Sequence, residues 1–242
     1  MDNLTIAAAG GMRSRMESLD LLANNLANTE TGGYKADREF YNLYVSAEAA
    51  NADASPTSLP VIETSWTDFS QGVLRPTGNS LDLALSGKGF FAVSGPSGDL
   101  YTRNGSFHLT PQGMLVTKEG YAVRTVSGGN IQVQGSAELQ ISPDGTVTQS
   151  GQTLGRLALA DFSDAGSLVK QGNSFFQSTA DPQTPSAVQV EQGKLESSNV
   201  GAAESAVRLV SVMRQFEMLQ KAAALGEQMN QEDAQEVARV AS

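Results

Sequence analysis

The chain contains no cysteine, one histidine and one tryptophan among its 242 residues. Without cysteine it has no disulfide, no thiolate zinc site and no cysteine nucleophile. The one histidine, His108, cannot form a metal cluster alone, and no nucleophile elbow accompanies it to support a Ser-His-Asp triad. We therefore expect no metal site, no cysteine nucleophile and no Ser-His-Asp triad, and we expect His108 to be structural or exposed.

Long apolar runs and clusters of basic residues are also missing. No stretch approaches the roughly 18 apolar residues of a membrane span, and the start, Met1-Asp2-Asn3-Leu4, lacks the regions of a secretory signal. The formal net charge of −10 disfavours phosphate backbones and anionic lipids, because both repel it. These features predict no nucleic-acid partner and no membrane insertion. If the protein leaves the cytoplasm, an exporter other than the general secretory route must carry it.

Apolar residues are present in a 3-4 spacing near both ends of the chain. Stripes of this kind line the seam where helices pack side by side. Each stripe is narrow, and sequence that contains Gly, Ser and Pro separates it from the middle of the chain. We therefore predict that the two stripes form an assembly interface. Its predicted residues are Ala9, Met12, Met16, Leu19, Ala23 and Leu26 near the N-terminus, and Leu209, Val212, Phe216, Leu219 and Ala223 near the C-terminus.

The middle of the chain has the pattern of short β-strands separated by turns. Leu81, Leu83 and Leu85 alternate with other residues at period two, and turn pairs such as Asn104-Gly105 recur. Short, evenly punctuated strands favour a sandwich or barrel. The predicted fold class is mixed α and β, with a central all-β sandwich or barrel-like domain flanked by terminal helices. The predicted divisions are 1–33 (helix), 34–66 (linker or extended segment), 67–190 (β-rich domain) and 191–242 (helix).

The helix limits follow from caps and breakers. The first helix is predicted over 4–28, ended by Thr31-Gly32-Gly33, with Gly10-Gly11 as an internal weakness of about 1 kcal/mol per glycine. The second is predicted to begin near Ser197-Ser198-Asn199 and to run to about Gln231, after which the chain frays.

Two other classes of protein are weaker alternatives. A β-sandwich hydrolase would need two carboxylates about 5–10 Å apart. Capping and solvent exposure already explain Asp82, Asp99, Asp144, Asp161 and Asp164, which lie beside turns or in strand alternation. A β-rich adhesin or tail-like binding module with helical oligomerisation ends would need an exposed aromatic or polar patch, and aromatic residues make up only 6% of the chain.

Four sequence blocks, in order along nearly the whole chain, are similar to signatures of bacterial flagellar rod and hook proteins. The blocks are Leu22-Ala23-Asn24-Asn25-Leu26-Ala27-Asn28 with Thr31-Gly32-Gly33-Tyr34; Gln71-Gly72-Val73-Leu74 with 77–91; Tyr101-Thr102-Arg103-Asn104-Gly105-Ser106-Phe107 with 113–117; and Gln192-Gly193-Lys194-Leu195-Glu196-Ser197-Ser198-Asn199-Val200. The chain thus resembles the flagellar basal-body rod protein family. Arg214-Gln215-Phe216-Glu217-Met218 resembles the proximal rod protein, and the distal rod protein is the alternative. Gly33 departs from the family pattern, which often has a bulkier residue there.

The resemblance implies a structural subunit without an active site or cofactor. It implies export by the flagellar type III apparatus and helical assembly with other rod subunits in the periplasmic part of the basal body, where the rod transmits torque. It also implies that the terminal helices pair as an inner coiled coil beneath an outer β domain. Because isolated helices of this length are marginal in water, we expect both ends to order on assembly. A helical filament requires a head-to-tail, non-closing interface.

Overall fold

A computed structural model describes residues 3–45, 58–135, 138–172, 174–185 and 187–240. The chain divides into two compact units. The first, the helical unit, comprises Met1–Ala27, Asp37–Thr67 and Gly201–Ser242. The second, the β unit, comprises Asn28–Ala36 and Asp68–Val200. Within the described residues, no helix combines the length and the apolar character that crossing a membrane requires.

The helical unit contains two helices and a pair of strands. These elements are α1 (Asn3–Ala27), β1 (Asp37–Val45), β2 (Ser58–Thr67) and α2 (Ala202–Val240). β1 and β2 are antiparallel, with Asp37 opposite Thr67 and a register shift after Phe40. Paired strands therefore occupy most of the segment predicted as a linker over 34–66, while 46–57 lies outside the described residues.

The second helix extends beyond its predicted end. α2 continues past Gln231 to Val240. The predicted end near Gln231 is wrong, because after Gly226 the sequence has no further glycine or proline and is rich in Glu, Gln and Ala, which are strong helix formers.

The β unit is built from short antiparallel strands. They are β3 (Leu74–Pro76), β4 (Leu83–Ser86), β5 (Phe90–Gly95), β6 (Gly98–Thr102), β7 (Phe107–Leu109), β8 (Leu115–Thr117), β9 (Ala122–Val123), β10 (Leu139–Ile141), β11 (Thr146–Gln149), β12 (Gln152–Arg156), β13 (Leu159–Ala160), β14 (Leu168–Gln171), β15 (Phe175–Ser178), β16 (Gln189–Gln192) and β17 (Lys194–Glu196). A 3-10 turn, Ala165–Ser167, precedes β14.

These strands form several sheets. The largest has the order β14-β15-β6-β5-β9-β8-β7, with β13 also paired to β5; the others are β10-β11-β12, β16-β4 and β17-β3. Over the part of the chain that the structure describes, no sheet closes on itself, so the barrel half of the predicted fold class is wrong. Turns end the strands of the large sheet after only two to six residues. The β unit therefore consists of open sheets of short strands.

The core of the β unit lies on both faces of β5. Phe91 and Val93 pack with Leu83, Leu85 and other residues in one cluster, whereas Phe90 and Ala92 join Tyr101 and Phe176 in a second. Successive side chains of a strand point to opposite faces, so one strand supplies both clusters.

The β unit also continues beyond the predicted boundary at 190. β16 pairs with β4, and β17 pairs with β3. The last signature block therefore belongs to the β unit, where it supplies the end of β16 and the whole of β17 before α2 begins.

Candidate assembly interface

The two helices of the helical unit pack through a narrow face of α1. The buried residues on this face are Ala8, Ser14, Ser18, Leu22 and Asn25, and all of them except Leu22 are small or polar. Gly11 lies on the same face, and a Cβ there would be 3.2 Å from Leu219 Cδ1 on α2. The glycine that the sequence marks as a weakness thus provides room for a leucine of the partner helix.

The structure separates the predicted interface residues into covered and exposed groups. On α2, Val212 is buried, and Leu209, Phe216, Leu219 and Ala223 are half-buried on the same side of the helix. On α1, Met12, Leu19 and Leu26 are half-buried, whereas Ala9, Met16 and Ala23 are exposed. The last three are one heptad apart, so one row of the α1 stripe stays open to solvent.

A second apolar face on α2 escaped the sequence reasoning. Val207, Met218, Leu225 and Met229 are each at least 60% exposed. At about 100° per residue these four positions fall within about 40° of one another, and about 145° from the centre of the Leu209–Ala223 stripe. Their spacing of 11, 7 and 4 residues is visible in the sequence, and a search for a second stripe would have found it.

The end of α1 is bonded to the start of the strand pair. The Asn25 side chain donates to the Asp37 carbonyl oxygen at 2.7 Å and accepts from the Asp37 N–H at 3.0 Å. The Thr67 hydroxyl donates to the Asp37 carboxylate at 2.8 Å. These bonds give Asn25 of the first signature block a structural role at the entrance to β1.

In the β unit, residues from all four signature blocks meet in one network of hydrogen bonds and ion pairs. We call this the root network, because its outer segments, 28–36 and 196–200, continue directly into α1 and α2. At its centre the Lys35 Nζ lies 2.5 Å from Glu196 Oε1, and Arg103 Nη1 lies 3.2 Å from Glu196 Oε2. All three side chains are buried. Backbone groups complete the coordination, since Gly72 N–H donates to Glu196 and Lys35 donates to the Ser70 carbonyl.

Two glycines of the network bring backbone segments into contact. Gly33 has a φ of +67°, and a Cβ there would lie 2.4 Å from the Arg103 carbonyl carbon. A Cβ on Gly72 would lie 2.0 Å from the Ser197 carbonyl oxygen. In this chain position 33 therefore requires glycine, because a Cβ there would collide with the backbone of Arg103.

Asn199 connects three segments of the same network. Its side-chain oxygen accepts from the Ala36 N–H at 2.8 Å, and its amide donates to the Asp68 carbonyl at 2.7 Å. Gly33 N–H donates to the Glu196 carbonyl at 2.7 Å. The points where the chain enters and leaves the β unit are therefore bonded to one another.

Burial governs the electrostatics of the network. Burial lowers the pKa of the Lys35 ammonium below its ordinary value, and the carboxylate of Glu196 opposes that shift. Burial likewise lowers the pKa of Arg103, again opposed by Glu196. Two cations share one buried carboxylate, so each cation depends on Glu196 for its charge compensation.

The aspartates weighed for an enzyme have structural partners. Asp99 pairs with Arg124, Asp144 accepts hydrogen bonds from Thr146, and Asp164 caps the 3-10 turn. Asp82 accepts from Asn79, and Asp161 accepts from the Phe162 N–H. His108 is exposed on β7, opposite Val116. Among the described residues, no group of three or more His, Cys, Asp or Glu is arranged to hold a metal ion.

Two family models match the chain. The model described as the flagellar hook protein FlgE/F/G D1 domain matches residues 84–149. The model described as the flagellar basal body rod FlgEFG protein C-terminal region matches residues 191–236. The first covers β4 to β11, and the second covers the last strands of the β unit and most of α2.

Individual relatives are similar over almost the full length. The flagellar basal-body rod protein FlgF of Caulobacter vibrioides is 32% identical over 225 residues, which cover 91% of this chain and 92% of that protein. FlgG of the same organism is 32% identical over 255 residues, covering 94% and 97%. FlgG of Bacillus subtilis is 28% identical over 251 residues, covering 92% and 94%.

Proposed function

Because this chain belongs to the flagellar basal-body rod protein family and is a structural subunit of that rod, we propose that it forms the proximal part of the rod. It sits in the flagellar basal body and assembles with other rod subunits. The proximal position, the export route and the arrangement of the helices in the rod are the parts we propose.

The segment Arg214-Gln215-Phe216-Glu217-Met218 of α2 carries the proximal assignment, since it resembles the proximal type. Alignment lengths support a subunit of the FlgF kind. The FlgF alignment spans 225 residues and covers 91% of this chain, whereas the FlgG alignments span 251 and 255 residues for nearly the same coverage, 92% and 94%, and so contain more gaps in this chain.

We infer that α1 and α2 pair as a coiled coil in the inner core of the rod and that the β unit forms the outer layer. The small-residue face of α1 against Leu219, and the further apolar face of α2, support this arrangement because a core helix needs apolar cover on more than one side. The absence of cysteine, and hence of disulfides, fits export as an unfolded chain through the flagellar type III apparatus.

The root network supplies the stiffness that torque transmission requires. A rod subunit passes load along its chain, and the segments that continue into both helices are held by Lys35, Glu196, Arg103 and Asn199. Buried ion pairs and multiply bonded amides resist displacement, since moving one partner leaves another uncompensated.

Electron microscopy of basal bodies from a strain without this gene tests the proximal assignment. We expect the rod to be lost beyond its base, and restoration of the gene to restore it. A mutant whose rod lacks only its outermost part would assign the protein to the distal rod. Intact rods in the deletion strain would overturn the proposal altogether.

Hydrogen exchange on the soluble monomer tests whether the ends order on assembly. Helices that depend on neighbours exchange quickly when alone. We expect weak protection over 9–26 and 206–223 and strong protection in β4, β5 and β6. Strong protection of both helices in the monomer would contradict this expectation.

A further inference from the structure

The exposed face of α2 is long and apolar and carries two basic side chains. We call it the α2 outer stripe: Val207, Met218, Leu225 and Met229 with Arg214 and Lys221 between them. It extends over about 33 Å of helix. Arg214 and Lys221 are exposed and make no ion pair within the described residues. α1 of the same chain packs on the other side of α2, at Leu219.

The exposed face of α1 has the complementary character. We call it the α1 outer stripe: Ala9, Met16 and Ala23 with Asp20 beside them. The two alanines are small where the α2 outer stripe has large side chains. Arg13, on the same side, is paired with Glu17 at 3.2 Å, so the acidic group left without an ion pair here is Asp20.

We propose that the α2 outer stripe of one copy of this chain receives the α1 outer stripe of the next copy. This inference rests on the proposed function, because it assumes a rod of repeated subunits. Large side chains meet small ones, and Arg214 and Lys221 approach Asp20 in a region where apolar burial strengthens their attraction. Pairing of two α2 outer stripes is disfavoured, since it would bring like charges together.

The contact is heterologous, since two different surfaces meet. A pair of copies then leaves one free stripe of each kind, one on each copy, so the contact propagates without closing, as a helical rod requires. The predicted heptad residues are therefore divided between two roles. The α2 residues around Leu219 pair within the chain, and the α1 row Ala9, Met16, Ala23 pairs between chains.

Cysteine crosslinking tests the contact directly, because the natural chain has no cysteine. Two differently tagged chains, one with Met16→Cys and one with Met218→Cys, are co-produced, and purified basal bodies are treated with a short bis-maleimide. We expect a crosslinked product that carries both tags. The control replaces Met218→Cys with Gln220→Cys, an exposed residue of α2 outside the stripe, and we expect no mixed product from it.

A mixed product equally strong with Gln220→Cys would overturn the proposal, as would products between two Met218→Cys chains without mixed ones. Absence of any product from assembled basal bodies would also overturn it.

A charge swap tests the same contact in cells. Arg214→Glu is expected to abolish swimming, and adding Asp20→Arg in the same chain is expected to restore it, while Gln220→Glu leaves swimming unchanged. Both altered sites are exposed, so circular dichroism of the purified variants should match that of the natural chain. Normal swimming of Arg214→Glu, or no rescue by Asp20→Arg, would contradict the proposal.

These results are distinguishable from failure of the proposed function. If the deletion strain loses its rod but the stripe variants assemble normally, the protein is a proximal rod subunit and the stripe contact is wrong. If the deletion strain keeps its rod, the proximal assignment is wrong whatever the stripe variants do.

Discussion

Glu196→Gln is expected to be among the most destabilising single changes in the β unit. The carboxylate is fully buried and accepts from Lys35 at 2.5 Å, from Arg103 at 3.2 Å and from the Gly72 N–H at 2.8 Å. The amide keeps the shape of the side chain but leaves two buried cations without a counter-charge. Removing one partner of a buried ion pair costs about 3–5 kcal/mol, a large share of the roughly 5–15 kcal/mol by which folded proteins are stable.

Glu191→Gln is the matched control. Glu191 lies on the neighbouring strand β16 and pairs with Lys194, but both side chains are partly exposed. Pairs of this kind contribute about 0–1 kcal/mol. Urea unfolding followed by circular dichroism measures both variants. A cost for Glu196→Gln as small as that for Glu191→Gln would refute the account of the root network.

The pH dependence of the same variant provides an independent check. In the folded chain the pKa of Lys35 is lowered by burial from its ordinary value of 10.5, so the unfolded chain binds the proton more tightly. Between the two pKa values the free energy of unfolding therefore rises with pH. Glu196→Gln removes the carboxylate that raises this pKa, so the window extends to lower pH. We expect the variant to regain part of its lost stability as the pH rises towards the ordinary lysine pKa of 10.5.

Three further changes separate backbone, packing and electrostatic effects. Gly33→Ala should lower the melting temperature far more than Gly78→Ala. Both residues have a positive φ, which costs a residue with a Cβ about 1–2 kcal/mol, but only Gly33 has backbone atoms within 4 Å of the added Cβ. Equal changes in melting temperature would contradict this. In the assembled rod, Gly11→Val should weaken the helix pair by about 1–3 kcal/mol through overpacking, measured as a lower temperature at which rods in purified basal bodies come apart, whereas an unchanged temperature would mean that this contact is dispensable. Thr146→Val should raise the pKa of Asp144, which hydrogen bonds from the Thr146 hydroxyl and N–H lower in the natural chain. The hydroxyl's share of the stabilisation, which is present above the pKa of Asp144 in the unfolded chain and is lost as the pH falls through its pKa in the folded chain, should then disappear. An NMR titration of the carboxylate measures this last change, and an unmoved pKa would show that the backbone N–H alone is responsible.

Local sequence patterns predicted the helices and strands well where a single buried face or a clear turn motif marks the element. The 3-4 spacing of Leu209, Val212 and Phe216 predicted a helix, and the period-two alternation around Leu83 and Leu85 predicted a strand whose leucines are buried. The heptad pattern did not reveal which row of α1 stays exposed, because that depends on where α2 crosses it. The predicted boundary at 190 failed because the pairing partners of β16 and β17 lie more than 100 residues earlier.

The candidate site could be predicted only in part. The signature blocks marked Arg103, Glu196 and Asn199 as members of a family pattern but did not include Lys35. The meeting of these residues in one buried network was not visible, since 161 residues separate Lys35 from Glu196. The second apolar face of α2 was within reach of periodicity alone. It was missed because the first stripe already accounted for the helix.

The sequence by itself determined the element types, the likeness to rod proteins and the expectation of assembly. These depend on residue spacing and on motifs that are local in the chain. Only the tertiary structure decided that Gly11 accommodates Leu219, that Gly33 allows two backbones to touch and that one glutamate compensates two buried cations. Such contacts join residues far apart in sequence, and their energies arise from burial and close approach, which exist only once the chain has folded.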